Sequence, residues 1–279
     1  MKKELSAWLR FLRLPNVLTV PGDVLAGAAL AGQPFGDVLR PAAAVMLAYL
    51  FGMALNDLWD MKADSLERPE RPLPSGDISR GQALIACGLL GIGALMMHFR
   101  PAMGILLGLI LAYTAFKQRI PVMGLLLMGM CRGAAVWIGA GAPIRLTPSL
   151  AAAIVLWVLY IAAVTALATY ETGKPMRREW PWVMPMILNL GFLGMAYTVP
   201  SPSPWAYLPG LAAFVLVNLH ARGMVRARQI RPPDIGRLIG LLFLMQAFVL
   251  ALHGHTATAG ILLSLAPVMR WARKKVPAS

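Results

Sequence analysis

The acidic residues of this chain are few, and half of them fall in one short segment. Six of the 12 lie within 21 residues of sequence: Asp57, Asp60, Asp64, Glu67, Glu70 and Asp77. On a helix, Asp57, Asp60 and Asp64 are spaced i,i+3,i+7, and Asn56 is four residues before Asp60, so the four side chains share one face. Carboxylates this close repel each other unless a cation lies among them. Because Mg²⁺ combines one or two carboxylates with phosphate oxygens of a substrate, the segment predicts a Mg²⁺–phosphate site, and we call these four residues the acidic motif.

The same segment also has a simpler interpretation. A solvated acidic helix end, with its charges paired to Lys62, Arg68 and Arg71, would have the same composition. The functional interpretation is favoured because an Asn–Asp pair, strict helical spacing and a rigid proline-rich exit at 69–74 occur together.

The elements that must position this motif are membrane helices. Of the 279 residues, 58% are apolar and only 14% charged, with a mean hydropathy of +0.65. A soluble domain carries about 25% charged residues, so this composition excludes a soluble globular enzyme, a collagenous chain and a disordered chain. A bilayer core needs roughly 20 apolar residues per helix. Apolar runs predict an all-α polytopic bundle of nine or ten transmembrane helices in one membrane domain, 1–279, with segments at 16–32, 38–58, 80–98, 102–116, 121–141, 148–169, 183–199, 205–220, 235–253 and 257–269.

The positive charges orient this bundle. The net charge is +14, and 22 of the 26 Lys and Arg residues fall on the side of the N-terminus if all ten segments cross. Only Arg40, Arg100 and Arg145 fall on the other side. Because basic residues stay in the cytoplasm, we expect a cytoplasmic N-terminus and acidic motif in a bacterial cytoplasmic membrane. Topology thus explains the charge without a nucleic-acid partner, and ten crossings fit better than nine.

The acidic motif and its exit resemble a known family. N-D-x-x-D-x-x-x-D followed by R-P-x-x-S-G is similar to the first aspartate-rich motif of the UbiA superfamily of intramembrane prenyltransferases. Arg71, Pro72, Ser75 and Gly76 fill the exit. The segments Arg10–Asn16 with Pro21–Asp23 and Tyr113–Arg119 also resemble family motifs, whereas the second half of the chain is similar by hydropathy only. Within the superfamily, the Arg132-containing fifth span and the 170–172 loop most resemble the EboC-type branch.

The resemblance implies a helix bundle around a central cavity with a cytoplasmic polar cap. Mg²⁺ would bridge carboxylates to an isoprenoid diphosphate, whose ionisation gives an allylic carbocation that a small acceptor captures; an aromatic acceptor is preferred. It implies metal ligands at Asp57, Asp60, Asp64 and Glu171, with Asn56 beside them in the catalytic set. The implied substrate contacts are Asn16, Arg71, Tyr113, Lys117, Arg119, Arg132 and Lys174.

The chain departs from the family pattern after the sixth span. A second D-x-x-x-D motif belongs there, but only Glu171 occupies a plausible ligand position, and Pro175 stands four residues on. In one interpretation, which we favour, Glu171 still serves a metal while cations of the same loop, such as Lys174, bind phosphate. In the other, the site no longer ionises diphosphates, and the protein binds or carries a lipid or metabolite precursor.

Two further cations have alternative interpretations. Arg132 follows Pro121 by 11 residues, so it lies about 16 Å along its helix. An unpaired arginine at that depth is costly; it either contacts a ligand in the cavity or pairs with a residue such as Asp23. Lys117 lies at the cytoplasmic edge, where topology alone places cations, but its i,i+4 spacing from Tyr113 favours a phosphate role.

Overall fold

The computed structural model describes residues 2–171, 179–198 and 203–275, and within these ranges the regular structure is entirely helical. Short 3₁₀ turns at Trp180–Trp182 and Pro204–Tyr207 precede two of the α-helices. The thirteen α-helices are α1 (Lys2–Phe11), α2 (Leu14–Val17), α3 (Val20–Ala31), α4 (Phe35–Glu67), α5 (Arg80–Met97), α6 (Pro101–Phe116), α7 (Pro121–Gly139), α8 (Pro148–Ala168), α9 (Val183–Thr198), α10 (Leu208–Ala227), α11 (Pro232–Gly240), α12 (Leu242–Leu252) and α13 (Thr256–Lys275).

Local sequence explains where several of these helices begin. Pro101, Pro121 and Pro148 stand in the first turns of α6, α7 and α8, where a missing N–H costs no hydrogen bond. Ser79 starts α5 with a reciprocal capping box: its hydroxyl accepts from the Gln82 amide at 3.2 Å, and the Gln82 side chain accepts from the Ser79 amide at 2.9 Å. The helix boundaries are thus set by the sequence around each turn.

The predicted all-α membrane bundle is confirmed. Each of the ten apolar segments coincides with a helix or a pair of short helices. Seven stretches of the described residues are long and apolar enough to cross a membrane: Leu14–Ala31, Phe35–Glu67, Arg80–Met97, Pro121–Gly139, Pro148–Ala168, Pro204–Ala227 and Pro232–Leu252. The shorter apolar helix α6 adds to them. The count of nine or ten crossings stays a prediction.

Close packing of α3 against α7 brings the interior of the bundle together. A Cβ atom at Gly27 would lie 1.9 Å from the carbonyl oxygen of Val136, and one at Gly139 would lie 2.0 Å from that of Val24. No side chain fits at either position, so the two glycines allow the backbones to approach. Asp23 directly precedes Val24, near the start of α3.

The N-terminal helix covers the loop that follows the acidic motif. Ala7 and Phe11 of α1 are buried in one cluster with Leu73 and Ile78 of that loop. Arg10 adds an ion pair of 3.1 Å with Asp77. The N-terminal helix therefore packs as part of a polar cap over this end of the bundle, which we call the motif end.

Candidate functional site

The acidic motif lies on one face of α4. This helix continues past its apolar part to Glu67, as the i,i+3,i+7 spacing requires. Asn56, Asp57 and Asp64 are buried, with 8%, 4% and 7% of their surface exposed, and Asp60 is half-buried. Trp59, on the other side of the helix, is 58% exposed. The motif therefore faces protein, and not solvent as a plain acidic helix end would.

Two arginines pair with the outer carboxylates of the motif. Arg13 Nη2 lies 2.8 Å from Asp57 Oδ1. Arg71 Nη1 lies 2.6 Å from Asp64 Oδ2 and 4.0 Å from Asp57 Oδ1. Arg13 precedes α2 in the left-handed conformation, with φ 45° and ψ 45°, which a non-glycine residue rarely adopts. Such strain is often found at functional sites, and here it accompanies the contact with Asp57.

Lys117 joins the two central residues of the motif. Its Nζ contacts both Asn56 Oδ1 and Asp60 Oδ2. The Gln118 amide donates to Asp60 Oδ1 at 2.9 Å, and the Asn56 amide donates to Asp60 Oδ2 at 3.3 Å. Lys117 Nζ also lies 5.7 Å from the centre of the Tyr113 ring, within range of a cation–π interaction. Lys117, with Tyr113 beside it as the i,i+4 spacing predicts, thus contacts the acidic motif.

The partners of the motif differ from those of the simpler interpretation. Arg71 pairs with it as that interpretation expects, but Lys62 is exposed to solvent. The other two cations, Arg13 and Lys117, come from outside α4 and its exit loop. Arg119, an expected substrate contact, is exposed. A solvated helix end is therefore the wrong description: the carboxylates belong to a partly buried cluster built from several parts of the chain.

The donor set fits Mg²⁺ shared with a substrate. Within residues 2–171, 179–198 and 203–275, no three His, Cys, Asp or Glu side chains converge as a complete metal cage. Mg²⁺ does not need such a cage, because it binds through one or two carboxylates plus phosphate oxygens and water. The acidic motif offers only hard oxygen ligands, which suits this mode. Asp57, Asp60 and Asp64 are the residues that would hold the ion.

Glu171, the remaining acid of the second motif, lies at the same end of the bundle. It is half-buried just after α8. Burial raises the pKa of the Glu171 carboxyl; the positive charge of Arg68 opposes this rise and the negative charge of Asp234 adds to it. Arg68 directly follows α4, so Glu171 lies within the electrostatic reach of the first motif's exit. Lys174, the other candidate in this loop, lies outside the described residues.

An apolar cavity begins one helical turn below the acidic motif. It measures about 50 Å³ and is walled by α4, α6 and α7 with Val20 of α3. Gly52 and Met53 of α4 line it four residues before Asn56 and Asp57, and Tyr113 lines it four residues before Lys117. The expected central cavity is therefore present, and its polar end is the acidic motif.

Two predicted substrate contacts have protein partners in the structure. Asn16 Oδ1 accepts hydrogen bonds from Arg273, at 2.6 Å from Nη2 and 3.2 Å from Nε. Arg132 forms an ion pair of 2.7 Å with Asp23 and also lines the cavity. The pairing with Asp23 is confirmed, and the ligand contact stays a prediction that the place of Arg132 in the cavity wall allows.

Several residues of the site were not predicted from the sequence. Arg13 stood within the family-like segment Arg10–Asn16 but carried no assigned role. Gln118 stood within the family-like segment Tyr113–Arg119, also without an assigned role, and Trp157, Gln246 and Arg273 were not proposed at all. A usable signal existed for Gln246, because a lone amide in an apolar span must find a polar partner inside the bundle.

Comparisons with known proteins place this membrane bundle, with its cluster of carboxylates and cations over an apolar cavity, among intramembrane transferases. The chain belongs to the UbiA prenyltransferase family, whose sequence model matches residues 20–234. It is 30% identical over 187 residues to the digeranylgeranylglyceryl phosphate synthase of Haloquadratum walsbyi, covering 63% of each chain, so it spans less than two thirds of that relative's length. The synthase of the same name from Natronomonas pharaonis is 26% identical over 226 residues, or 74% of this chain and 79% of the relative.

Solved structures show the same fold. A structure described as that of digeranylgeranylglyceryl phosphate synthase aligns over 92% of this chain and 100% of its own, with a TM-score of 0.63 and 17% identity. A UbiA homologue from Archaeoglobus fulgidus, bound to DMAPP and Mg²⁺, aligns over 94% of this chain and 98% of its own, with a TM-score of 0.61 and 13% identity. These similarities establish the family; the EboC-type branch stays a prediction.

Proposed function

We propose that this protein is a Mg²⁺-dependent intramembrane prenyltransferase that moves an isoprenoid group from an allylic diphosphate to a small acceptor. The observation that carries this proposal is the contact of Lys117 Nζ with both Asn56 and Asp60 at the mouth of the apolar cavity. This contact brings cations and oxygen ligands together at the position where the diphosphate group of a substrate would bind with its prenyl tail in the cavity. Membership of the family and the Mg²⁺-bound relative support it.

The acidic and the basic residues of the site have different roles. Asp57, Asp60 and Asp64 would hold Mg²⁺, which would supply neutralising charge to the leaving diphosphate. Arg13, Arg71 and Lys117 already lie against these carboxylates. When a diphosphate arrives, their N–H groups can donate to its oxygens while remaining next to the acids. Glu171 and Lys174 would act from the opposite loop, and Asn16, Tyr113 and Arg119 stay predicted substrate contacts.

The apolar cavity walls protect the reaction. An allylic cation is quenched by water, and walls such as Met53, Met128 and Ala135 carry no polar group that would hold water near it. For the acceptor we keep an aromatic molecule as the first candidate. The names of the curated relatives make a glyceryl phosphate derivative the second. We place the motif end in the cytoplasm, as the distribution of basic residues indicates.

The test is pyrophosphate release by the purified protein. Dimethylallyl, geranyl, farnesyl and geranylgeranyl diphosphates are supplied with Mg²⁺ and each candidate acceptor. We expect release that chelation of Mg²⁺ stops. Asp60→Asn should abolish release, since the substitution removes a metal ligand. Glu67→Gln is the matched control: it removes an exposed acid from the same helix and should leave release unchanged.

A non-catalytic carrier on the same scaffold is the second candidate. It is favoured by the reduced second motif, in which Glu171 stands without the second aspartate of the family pattern. Wild-type protein that binds the diphosphates in a calorimeter but never releases pyrophosphate would refute the transfer reaction and support the carrier.

A further inference from the structure

A buried polar network surrounds Arg132 beside the cavity. Its Nε lies 2.7 Å from Asp23 Oδ2. Its Nη2 donates to the hydroxyl of Thr19 at 3.1 Å and to the carbonyl of Thr19 at 3.3 Å. Asp23 is fully buried and Arg132 is 7% exposed. Two of the three guanidinium nitrogens are therefore fixed by the protein.

The other oxygen of Asp23 is also fixed. Asp23 Oδ1 accepts from the Trp157 indole at 2.7 Å and from the Gln246 amide at 2.6 Å. Gln246 also donates to the Thr19 carbonyl at 2.7 Å. Contacts from α8 and α12 thus hold the carboxylate that holds Arg132. A buried ion pair adds little to stability compared with well-packed apolar residues, so the contacts that converge on Asp23 and Arg132 point to a positioning role.

The third nitrogen of Arg132 is available to a ligand. Among the residues that the structure describes, Arg132 Nη1 has no hydrogen-bond partner. Arg132 lines the cavity together with Tyr113 and Cys131. An N–H group beside an apolar cavity costs free energy if it has no acceptor, and a prenyl tail cannot accept a hydrogen bond. The molecule that satisfies Nη1 must therefore bring an oxygen into an otherwise apolar space.

The charge of the network limits what that oxygen can be. Asp23 and Arg132 cancel each other, so the cavity wall is neutral at this point. A carboxylate or phosphate here would leave an excess negative charge in an apolar site, which is costly. Diphosphate has its own cations at the motif end, Lys117 and Arg71. The ligand of Arg132 is thus distinct from the diphosphate head.

We propose that Arg132 Nη1 hydrogen-bonds a neutral carbonyl or hydroxyl oxygen of the prenyl acceptor, and that Asp23, Trp157, Gln246 and Thr19 position it. The proposal rests on the proposed function and narrows its acceptor to molecules that are uncharged at the end facing Arg132. Specificity for the acceptor then depends on Arg132, and affinity for the diphosphate does not.

The experiment uses two matched pairs of probes. They are 4-hydroxybenzaldehyde against 4-hydroxybenzoate, and an uncharged monoalkylglycerol against its phosphate. Calorimetric binding to the wild-type protein needs no turnover, and we expect the neutral member of at least one pair to bind more tightly. In Arg132→Lys the charge opposite Asp23 is kept but the planar fork is lost. We expect about 10-fold weaker binding of the preferred neutral probe, with binding of farnesyl diphosphate unchanged.

A double variant controls for loss of binding that is caused by misfolding. Asp23→Asn combined with Arg132→Met removes the donor without leaving an unpaired buried charge. It should weaken binding of the neutral probe as much as Arg132→Lys does. Tighter binding of the anionic probes, or equal weakening of diphosphate and neutral probes, would overturn the proposal. The proposal would also be overturned if the Arg132 variants changed the preference among diphosphates of different chain length while the acceptor probes bound as before. Arg132 would then form the floor of the pocket for the prenyl tail. Pyrophosphate release by the wild type is scored separately, so failure of transfer is distinguished from failure of this subsite.

Discussion

Lys117 occupies the position between Asn56 and Asp60 where the motif needs a positive charge. Its ammonium group relieves the repulsion that the carboxylates of the motif would otherwise feel. The same group is free to turn toward a phosphate because Lys has three rotatable donors on a flexible stem. One side chain can thus stabilise the carboxylates of the motif and bind the substrate.

Replacing Lys117 tests this double role. We expect Lys117→Met to raise the KM for the allylic diphosphate about 10-fold or more, because a charge-assisted hydrogen bond contributes about 1.5–3 kcal/mol. Steady-state pyrophosphate release at varied diphosphate concentration measures it. Lys62→Met removes an exposed lysine near the same helix end and is the control. Equal KM values for the two variants would contradict a phosphate role for Lys117.

The raised pKa of Glu171 predicts how kcat/KM depends on pH. Burial raises the pKa of its carboxyl above the ordinary value, so the metal-binding carboxylate form is lost at a higher pH than for an exposed glutamate. By linkage, any stability that its neutral form contributes is lost as pH rises through this raised pKa. We expect kcat/KM to fall on the acidic side in the wild type. Glu171→Gln should lower the plateau and remove that acidic limb; an unchanged profile would exclude Glu171 from the site.

The sequence predicted the arrangement of those site residues that lie in one segment of the chain. Asn56, Asp57, Asp60 and Asp64 share one face because helical periodicity alone places them there. Arg13 and Gln118 reach the same carboxylates from other elements. Their contacts depend on how helices pack, which no spacing within a single segment encodes.

At the scale of elements, the close approach of α3 and α7 holds the site together. The glycines Gly27 and Gly139 lie against backbone carbonyls of the opposite helix, and the Asp23–Arg132 pair joins the same two helices. Any separation of α3 from α7 would therefore move the cavity wall and break the ion pair together.

Adding one methyl group tests this packing. Gly27→Ala and Gly139→Ala place a Cβ about 2 Å from a carbonyl oxygen, which must push the helices apart. We expect each to destabilise by about 1–3 kcal/mol, seen as a lower Tm in detergent. Gly104→Ala, in the interior of α6 with open space around it, should be neutral or stabilising by up to about 1 kcal/mol. A Tm for Gly139→Ala equal to that of Gly104→Ala would contradict the tight crossing.

Hydropathy predicted the apolar segments but not their interruptions. The first span is divided between α2 and α3, and the segment at 235–253 is divided between α11 and α12 at Gly240–Leu242. Apolar composition does not register such breaks, because the side chains stay apolar where the helix is interrupted. The first break has a consequence for the site: it leaves Thr19 ahead of α3, where its carbonyl meets Arg132 and Gln246.

At the scale of the whole molecule, α13 meets α2 and α11 at the motif end. Arg273, near the end of α13, donates to Asn16 of α2 and to the Gly236 carbonyl of α11. The last helix therefore ends on the side on which the first span begins. Ten crossings, which the distribution of basic residues favours over nine, stay a prediction.

The positions needed to test this topology are available. Cys87 and Cys131 are both free and can be replaced by alanine to give a background without thiols. Exposed positions lie at each end of the bundle, so a single cysteine can be introduced on either side. A membrane-impermeant maleimide then reports which side each thiol faces.

We expect Ser65→Cys and Arg270→Cys to react only after the membrane is permeabilised. Ser65 lies beside the acidic motif and Arg270 near the end of α13, and both are exposed. Ile144→Cys, in the loop before α8, and Thr256→Cys, at the first residue of α13, should react in intact cells, because the loops there carry few basic residues. Reaction of Arg270→Cys in intact cells would reduce the count to nine crossings. The reverse pattern at all four positions would place the acidic motif outside the cytoplasm, away from a cytoplasmic supply of allylic diphosphate.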